Sequence, residues 1–297
     1  MYAAVRYAAI CGLSLLVISV PSLAQKGSPP PPPIGPPSQD SIPGSVVPTP
    51  PAFGNDPWAQ GPPPAVTPDS VENYRAAEAE SCNTWTEAGM HSPTVSVARL
   101  AVPGKATSEY QKGCGAFRSK RLDQAELHVR SALQLYPNYA AAWVVLGQIL
   151  DAQKKREEAR KACSQARSVD PTYVAPYLCL ADFAASEGDW QEVSILSGGA
   201  LALDPSRNPY SFYYASAAAF HLGDLSRAEK DAQNAIKLDK WHHMPEVHLL
   251  MAQICKAQGD PRGQAAQLRE YLKSAPGSED TSSVKTTLAQ LEAQPSK

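Results

Sequence analysis

Apolar side chains between residues 105 and 277 recur at the three- and four-residue spacing of amphipathic helices. In one stretch, Trp143 and Leu150 belong to an apolar stripe, and a second stripe starts at Ala159 and ends before Pro171. A proline just after the last apolar position is typical of the end of a helix. The pattern predicts two helices joined by a short turn in this stretch.

This pair of helices is one copy of an internal repeat. The repeat is marked by prolines 34 residues apart and by alanines five residues before them: Pro137, Pro171, Pro205, Ala132, Ala166 and Ala200. Two further copies follow with slight shifts, one around Ala228 and Ala235 and one that ends at Pro276. A single helix pair cannot cover its own apolar face, so the copies are expected to stack on one another.

The turn inside the later copies also repeats. Gly188, Gly223 and Gly259 are each followed by aspartate at the equivalent point of the third, fourth and fifth copies. Glycine adopts the left-handed conformation that ends a helix, and aspartate caps the helix that follows. These residues predict a tight turn between the two helices of each copy.

The first 24 residues have the pattern of a secretory signal peptide. Arg6 is followed by an apolar run from Tyr7 to Val20, and Ser22 and Ala24 supply small side chains for cleavage after Ala24. The run is shorter than the roughly 20 residues of a membrane-spanning helix. We expect a cleaved signal and a mature chain in the periplasm or outside the cell, without a membrane span. An uncleaved anchor is the alternative.

Residues 25–68 contain sixteen of the 28 prolines in the chain and only three charged residues. This composition predicts a disordered tether that favours extended polyproline conformations, with a proline-rich docking motif as the alternative. Residues 69–104 form a short segment with weaker signals. Within it the pattern predicts a short helix in 69–88 and a short strand over Thr94–Val102.

The motif Trp143-x2-Leu146-Gly147-x2-Leu150, followed by Ala159, Cys163 and Pro171, resembles the tetratricopeptide repeat (TPR) signature. Leu150 replaces the usual tyrosine, and Cys163 replaces the usual phenylalanine. The resemblance extends over residues 105–277 and implies an all-α, right-handed solenoid of about five helix-turn-helix repeats. Residues 278–294, with an apolar stripe at Val284, Leu288 and Leu291, resemble the helix that caps such an array.

The resemblance also implies that the protein binds another protein or a peptide. Counting along the first helix of each repeat places an aromatic and aliphatic set on the inner, concave side: Tyr110, Phe117, Val144, Leu178, Tyr210, Tyr213 and Phe220. These residues are the predicted partner-binding site. The alternative is that the same side chains pack between repeats as core.

One branch of the family binds acidic chaperone tails through lysine, arginine and asparagine on the first helices of successive repeats. The equivalent positions here are Tyr110, Cys114, Val145, Ala175 and Cys179, which offer neither a positive charge nor an amide. A clamp of that type is therefore not expected.

Five cysteines remain after the predicted cleavage. Cys114, Cys163, Cys179 and Cys255 lie in apolar helical stripes without metal-binding spacing, which indicates small buried side chains. Cys163 and Cys179 fall on helices that we expect to be adjacent, so a disulfide between them is an open alternative. With an odd number of cysteines, including Cys82, at least one thiol stays free.

The sequence carries few signals of metal binding, catalysis or nucleic-acid binding. His242, His243 and His248 have only Glu246 as a nearby carboxylate, and two of these histidines are adjacent and diverge, so no metal site is predicted. The chain lacks the common nucleophile, metalloprotease and phosphate-loop motifs, and its net charge of −2 disfavours nucleic acid. We expect a non-catalytic interaction or scaffold protein without a cofactor. A self-associating accessory subunit of an envelope complex is the alternative, and an uncharacterised enzyme is a minor one.

Overall fold

A computed structural model describes residue 82 and residues 101–206, 208–239 and 243–293, and this part of the chain contains eleven α-helices and no strand. In chain order the helices are α1 (Gly104–Arg118), α2 (Leu122–Leu135), α3 (Ala140–Ala152), α4 (Arg156–Val169), α5 (Val174–Glu187), α6 (Trp190–Leu203), α7 (Pro209–His221), α8 (Leu225–Leu238), α9 (Glu246–Ala257), α10 (Pro261–Ser274) and α11 (Thr281–Glu292). The predicted signal peptide and the predicted tether lie outside the described residues. So does the predicted helix in 69–88 apart from Cys82, and the predicted strand apart from its last two residues.

The first ten helices form five antiparallel pairs, and the pairs stack. Within each repeat the first helix packs on the second, and each second helix packs on the first helix of the next repeat. The first helices α1, α3, α5, α7 and α9 also contact one another in sequence, so they form one inner layer. The predicted all-α solenoid of stacked helix pairs is confirmed.

Close approach within a repeat depends on a small residue near the middle of the first helix. A Cβ atom at Gly147 would lie 2.5 Å from Cys163 Sγ and 3.2 Å from the carbonyl oxygen of Ala159, so glycine is required there. In the fourth repeat Ser216 occupies the same position, and its hydroxyl donates a hydrogen bond of 2.7 Å to the carbonyl oxygen of Ala228. Both contacts bring the first helix against the backbone of the second.

The turns inside the last three repeats are built as predicted. Gly188, Gly223 and Gly259 have φ angles of 78°, 88° and 75°. The aspartate after each glycine caps the second helix: its side chain accepts a hydrogen bond from a backbone N–H of the first turn, over 3.0, 3.0 and 2.9 Å respectively. In the first two repeats Lys120 and Lys154 take the left-handed position instead, with φ of 59° and 67°.

Two disulfides join parts of the molecule that are separate in sequence. Cys163 on α4 is bonded to Cys179 on α5, with a Cα–Cα distance of 6.1 Å, so the second and third repeats are covalently linked. Cys82 is bonded to Cys114 on α1, with a Cα–Cα distance of 5.2 Å. Both distances are normal for disulfides. Cys114, Cys163, Cys179 and Cys255 are buried as predicted, and the Cys163–Cys179 disulfide that the sequence left open is present. The bond between Cys82 and Cys114 was not predicted, and Cys255 has a free thiol.

The last helix, α11, packs on α10 and closes the array. Val284 is buried together with Leu268 and Tyr271, and Leu288 and Leu291 are packed around this small cluster. The predicted capping helix and its apolar stripe are confirmed. None of the described helices is both long enough and apolar enough to cross a membrane.

Candidate functional site

One face of each first helix forms the inner side of the solenoid. The contacts of α5 show which face this is. Ala181, the counterpart of Gly147, faces α6, while Cys179 is bonded to α4. At 100° per residue, Leu178 and Asp182 lie on the helix face between these two contacts. The equivalent residues of the other first helices lie on the same side, because the first helices contact one another.

We use the term concave face for the residues at these positions of the first four repeats. They are Tyr110, Cys114 and Phe117 on α1, Val144, Gln148 and Asp151 on α3, Leu178 and Asp182 on α5, and Tyr210, Tyr213, Ala217 and Phe220 on α7. All seven residues of the predicted partner-binding site belong to this face.

The seven predicted residues differ in accessibility. Tyr110, Val144, Leu178, Tyr210 and Tyr213 are at most 3% exposed and belong to the main hydrophobic core. In this conformation they present no surface to a partner. Phe117 and Phe220 are half-buried at the edge of that core, so they are the two predicted residues with accessible ring surface.

Aromatic contacts connect neighbouring repeats along the concave face. The ring of Tyr110 on α1 lies 5.0 Å from that of Tyr139, which precedes α3 of the next repeat. Within α7, Tyr213 meets Tyr214 edge to face at 5.4 Å. The Tyr214 hydroxyl donates a hydrogen bond of 3.0 Å to Asp182 on the preceding repeat. The Tyr110–Tyr139 contact and the Tyr214–Asp182 hydrogen bond join neighbouring repeats, as expected for residues that pack between repeats.

An aromatic cluster that sequence reasoning missed lies at the junction of the third and fourth repeats. The rings of Trp190 and His221 are stacked, with centroids 3.7 Å apart and planes 5° apart, and Phe220 meets His221 edge to face at 5.2 Å. His221 is exposed and Trp190 is half-buried. Trp190 follows a turn in sequence and lies outside the first-helix stripe, so counting along first helices does not find it.

Two buried carboxylates lie on the concave face, Asp151 at 5% and Asp182 at 9% exposure. A third buried carboxylate, Glu246, begins α9, and its Oε1 has no hydrogen-bond partner among the described residues. Burial raises the pKa of Glu246 to about 7, and the negative charge of Asp239 adds to the rise. The Asp239 carboxylate itself accepts hydrogen bonds of 2.9 Å from the backbone N–H groups of His243 and Met244.

Two of the three histidines considered in the sequence, His243 and His248, lie among the described residues. His248 is buried, and its Nδ1 lies 2.8 Å from Gln267 Oε1, while His243 is exposed. His242 lies outside the described residues.

A shallow surface depression of about 620 Å³ lies at the turns of the first two repeats, between Lys120 and Lys155. Lys155 is already paired with Glu126 over 3.0 Å.

Comparisons with known proteins agree with this architecture. Residues 116–181 match the tetratricopeptide repeat family model. A thermophilic TPR protein of Thermus thermophilus is 18% identical, with a TM-score of 0.51, and the alignment covers 64% of this chain and all of that one. PilW, a type IV pilus biogenesis factor, is 16% identical with a TM-score of 0.54. The alignment covers 65% of this chain and 92% of PilW.

A protein of a larger assembly also shares the fold: the APC/C hetero-tetramer Cut9–Hcn1 is 16% identical with a TM-score of 0.59. Here the alignment covers 75% of this chain but only 42% of the other chain. At these identities the likeness establishes the repeat fold alone. The comparison with curated proteins gives no match.

Proposed function

We propose that the protein is a non-catalytic scaffold that binds a partner protein or peptide through the concave face of its solenoid. Proteins with TPR arrays are generally protein-interaction scaffolds. The observation that carries the proposal is the accessible aromatic surface of Phe117 and Phe220 on that face, together with the exposed His221 stacked on Trp190. Rigid aromatic side chains bury a large area at small entropic cost, which makes them effective anchors in interfaces.

We place this activity in the periplasm or cell envelope. The signal-like amino terminus supports this location, and so do the two disulfides, because such bonds persist in oxidising compartments and are rare in the cytosol. The structural neighbour PilW, a type IV pilus biogenesis factor, is consistent with this location. Mass analysis of the exported protein should find Gln25 as the first residue, and a retained segment 1–24 in the membrane fraction would contradict this.

The binding proposal is tested with two matched variants. A partner is first crosslinked to the wild-type protein in its native envelope and identified, and its affinity is then measured for Phe220→Ala and Ile195→Ala. Ile195 lies on α6 and is 69% exposed, so it reports on truncation outside the concave face. We expect Phe220→Ala to weaken binding by about 2 kcal/mol, roughly 30-fold, and Ile195→Ala to leave it unchanged.

Melting temperatures of both variants separate binding from folding. A Phe220→Ala protein that melts earlier but binds normally would mean that Phe220 is a packing residue, and the concave face would lose its support as the binding site. Light scattering on the mature protein tests the competing role of self-association. A stable oligomer that buries Phe220 would favour that role.

A further inference from the structure

The turns of the first two repeats carry the opposite charge from the turns of the last three. In each of the last three repeats, the left-handed glycine is followed by an aspartate. At the same two positions the first repeat has Lys120 and Arg121, and the second has Lys154 and Lys155. Each of these two turns therefore presents two positive charges where a later turn presents one negative charge. We call these four residues the basic turn surface.

The fold does not require basic residues at these positions. Glycine forms the same left-handed turn in the last three repeats, and any other L-residue except asparagine or aspartate is less favourable in that conformation. Arg121 and Lys155 also leave the following helix without the side-chain cap that aspartate provides later. Residues that are unfavourable for folding, at positions where the same fold uses better ones, point to a role in function.

The basic turn surface is accessible, and most of its charge is uncompensated. All four side chains are exposed. Within the part of the chain that the structure describes, Lys120, Arg121 and Lys154 form no ion pair or side-chain hydrogen bond, and Lys155 pairs with Glu126. The whole chain has a net charge of −2, so this surface is a local concentration of positive charge. Such a concentration attracts an anionic partner.

The depression between the two turns indicates what kind of anion fits. Its lining includes Lys120, Arg121 and Lys155 together with Asp123 and Gln153. The Gln153 amide donates a hydrogen bond of 3.2 Å to Asp123, while its own oxygen is buried and lacks a donor among the described residues. A polypeptide offers carboxylates for the cations and N–H groups for such an acceptor. A recessed lining that includes a carboxylate is less suited to the flat anionic surface of a membrane.

We infer that the basic turn surface binds an acidic, extended segment of a partner protein. Packed helices lie about 10 Å apart, so the two turns are separated by a similar distance. Carboxylates two or three residues apart in an extended segment are about 7 to 10 Å apart, so one can reach each turn. The inference goes beyond the proposed function, because the basic turn surface contains no residue of the concave face. Its test therefore succeeds or fails independently of Phe220→Ala.

The test measures binding of a fluorescein-labelled peptide of alternating glutamate and glycine, about ten residues long, to the full chain by fluorescence anisotropy. The same peptide with glutamine in place of glutamate is the uncharged control. We expect only the acidic peptide to bind at about 50 mM salt, and its binding to weaken as salt screens the charges. Failure of the acidic peptide to bind, or equal binding of the glutamine peptide, would overturn the inference.

Two matched double variants locate the binding. Lys120→Gln/Lys154→Gln removes one charge from each turn and should weaken binding of the acidic peptide about tenfold, about threefold for each lysine. The control Lys161→Gln/Lys230→Gln removes two exposed lysines from α4 and α8 and should leave binding unchanged. Equal weakening in both variants would mean that the peptide responds to overall charge, and the basic turn surface would lose its role.

A quadruple variant guards against an effect on folding. Replacing both turns by the glycine–aspartate pair of the later repeats (Lys120→Gly, Arg121→Asp, Lys154→Gly and Lys155→Asp) keeps a turn that this fold already uses. We expect it to retain the helical circular dichroism of the wild type and to lose binding of the acidic peptide. Retained binding would overturn the inference. So would wild-type binding to vesicles of phosphatidylcholine and phosphatidylglycerol without binding to the peptide, since the ligand would then be a membrane surface.

Discussion

The turn between the paired helices has the same backbone geometry in the first two repeats as in the last three, but different residues produce it. In the last three repeats glycine takes the left-handed position and aspartate caps the next helix. In the first two, Lys120 and Lys154 take that position, and Arg121 and Lys155 precede the helix without a side-chain cap. A left-handed lysine costs about 1 kcal/mol or more relative to glycine.

The comparison shows that packing between helices, and not the local preference of the turn residues, sets the turn geometry. Two further kinds of contact hold the second repeat to the third. Cys163–Cys179 links the second repeat to the third, and Arg160 of the second repeat pairs with Glu187 and Glu192 of the third, over 2.6 and 2.7 Å. Three predictions test whether the two ends of the array are stabilised in these different ways.

The largest effect is expected at the covalent link. The double substitution Cys163→Ala/Cys179→Ala should lower the free energy of unfolding by about 3 kcal/mol, because the disulfide constrains a 16-residue separation in the unfolded chain. Urea unfolding with and without reductant measures this. The control is Cys255→Ala, which removes a buried but free thiol. If the control loses as much stability as the double variant, the loss comes from packing and not from the covalent link.

A smaller effect, of opposite sign, is expected at Glu246 in the last repeat. Its pKa is raised to about 7 in the folded protein, above the ordinary 4.5, so the folded state keeps a proton that the unfolded state releases. Stability from this group is therefore highest at low pH and falls as the pH rises from about 4.5 to about 7. The free energy of unfolding of Glu246→Gln should exceed that of the wild type by about 2 kcal/mol at pH 8. At pH 4.5 the two proteins should differ little.

Unfolding of Glu246→Gln is measured by urea titration between pH 4.5 and 8. Glu279→Gln is the control, since Glu279 is exposed in the turn before α11. A stability difference that does not change with pH would mean that the ionisation of Glu246 is not linked to folding.

The smallest effect is expected at the turns. Lys154→Gly should raise the free energy of unfolding by about 1 kcal/mol, because glycine adopts φ of 67° without a steric penalty. Lys161→Gly in the exposed middle of α4 should lower it by about the same amount, since glycine is unfavourable in a helix. Melting temperatures of the two variants should therefore shift in opposite directions. A Lys154→Gly protein that melts earlier would show that the lysine side chain contributes to the turn.

The periodic part of the molecule could be predicted from the sequence because each repeat supplies the same evidence again. Pro137, Pro171 and Pro205 fixed the register of the second helices, and the glycines of the later turns fixed where the first helices end. Lys120 and Lys154 carry no such signal. Their left-handed conformation follows from the packing of the two helices that each turn joins, which a local pattern does not contain.

The candidate site was harder to predict for a related reason. Helical spacing places Tyr110, Leu178 and Tyr213 on one side of the first helices, but it does not distinguish a side chain in a groove from one packed between neighbours. Cys82 lies outside the periodic region, so its bond to Cys114 depends on a long-range contact that no spacing reveals. The Trp190–His221 stack also joins two repeats whose relative position only the fold provides.

The two disulfides also limit how far the chain can be pulled out under mechanical force. They enclose sequence separations of 32 and 16 residues. At up to about 3.4 Å per residue, roughly 160 Å of contour length stays locked even when every helix has been stretched open. A protein drawn between two attachment points would therefore extend freely outside residues 82–114 and 163–179, while these two enclosed segments would release their length only after the bonds were reduced.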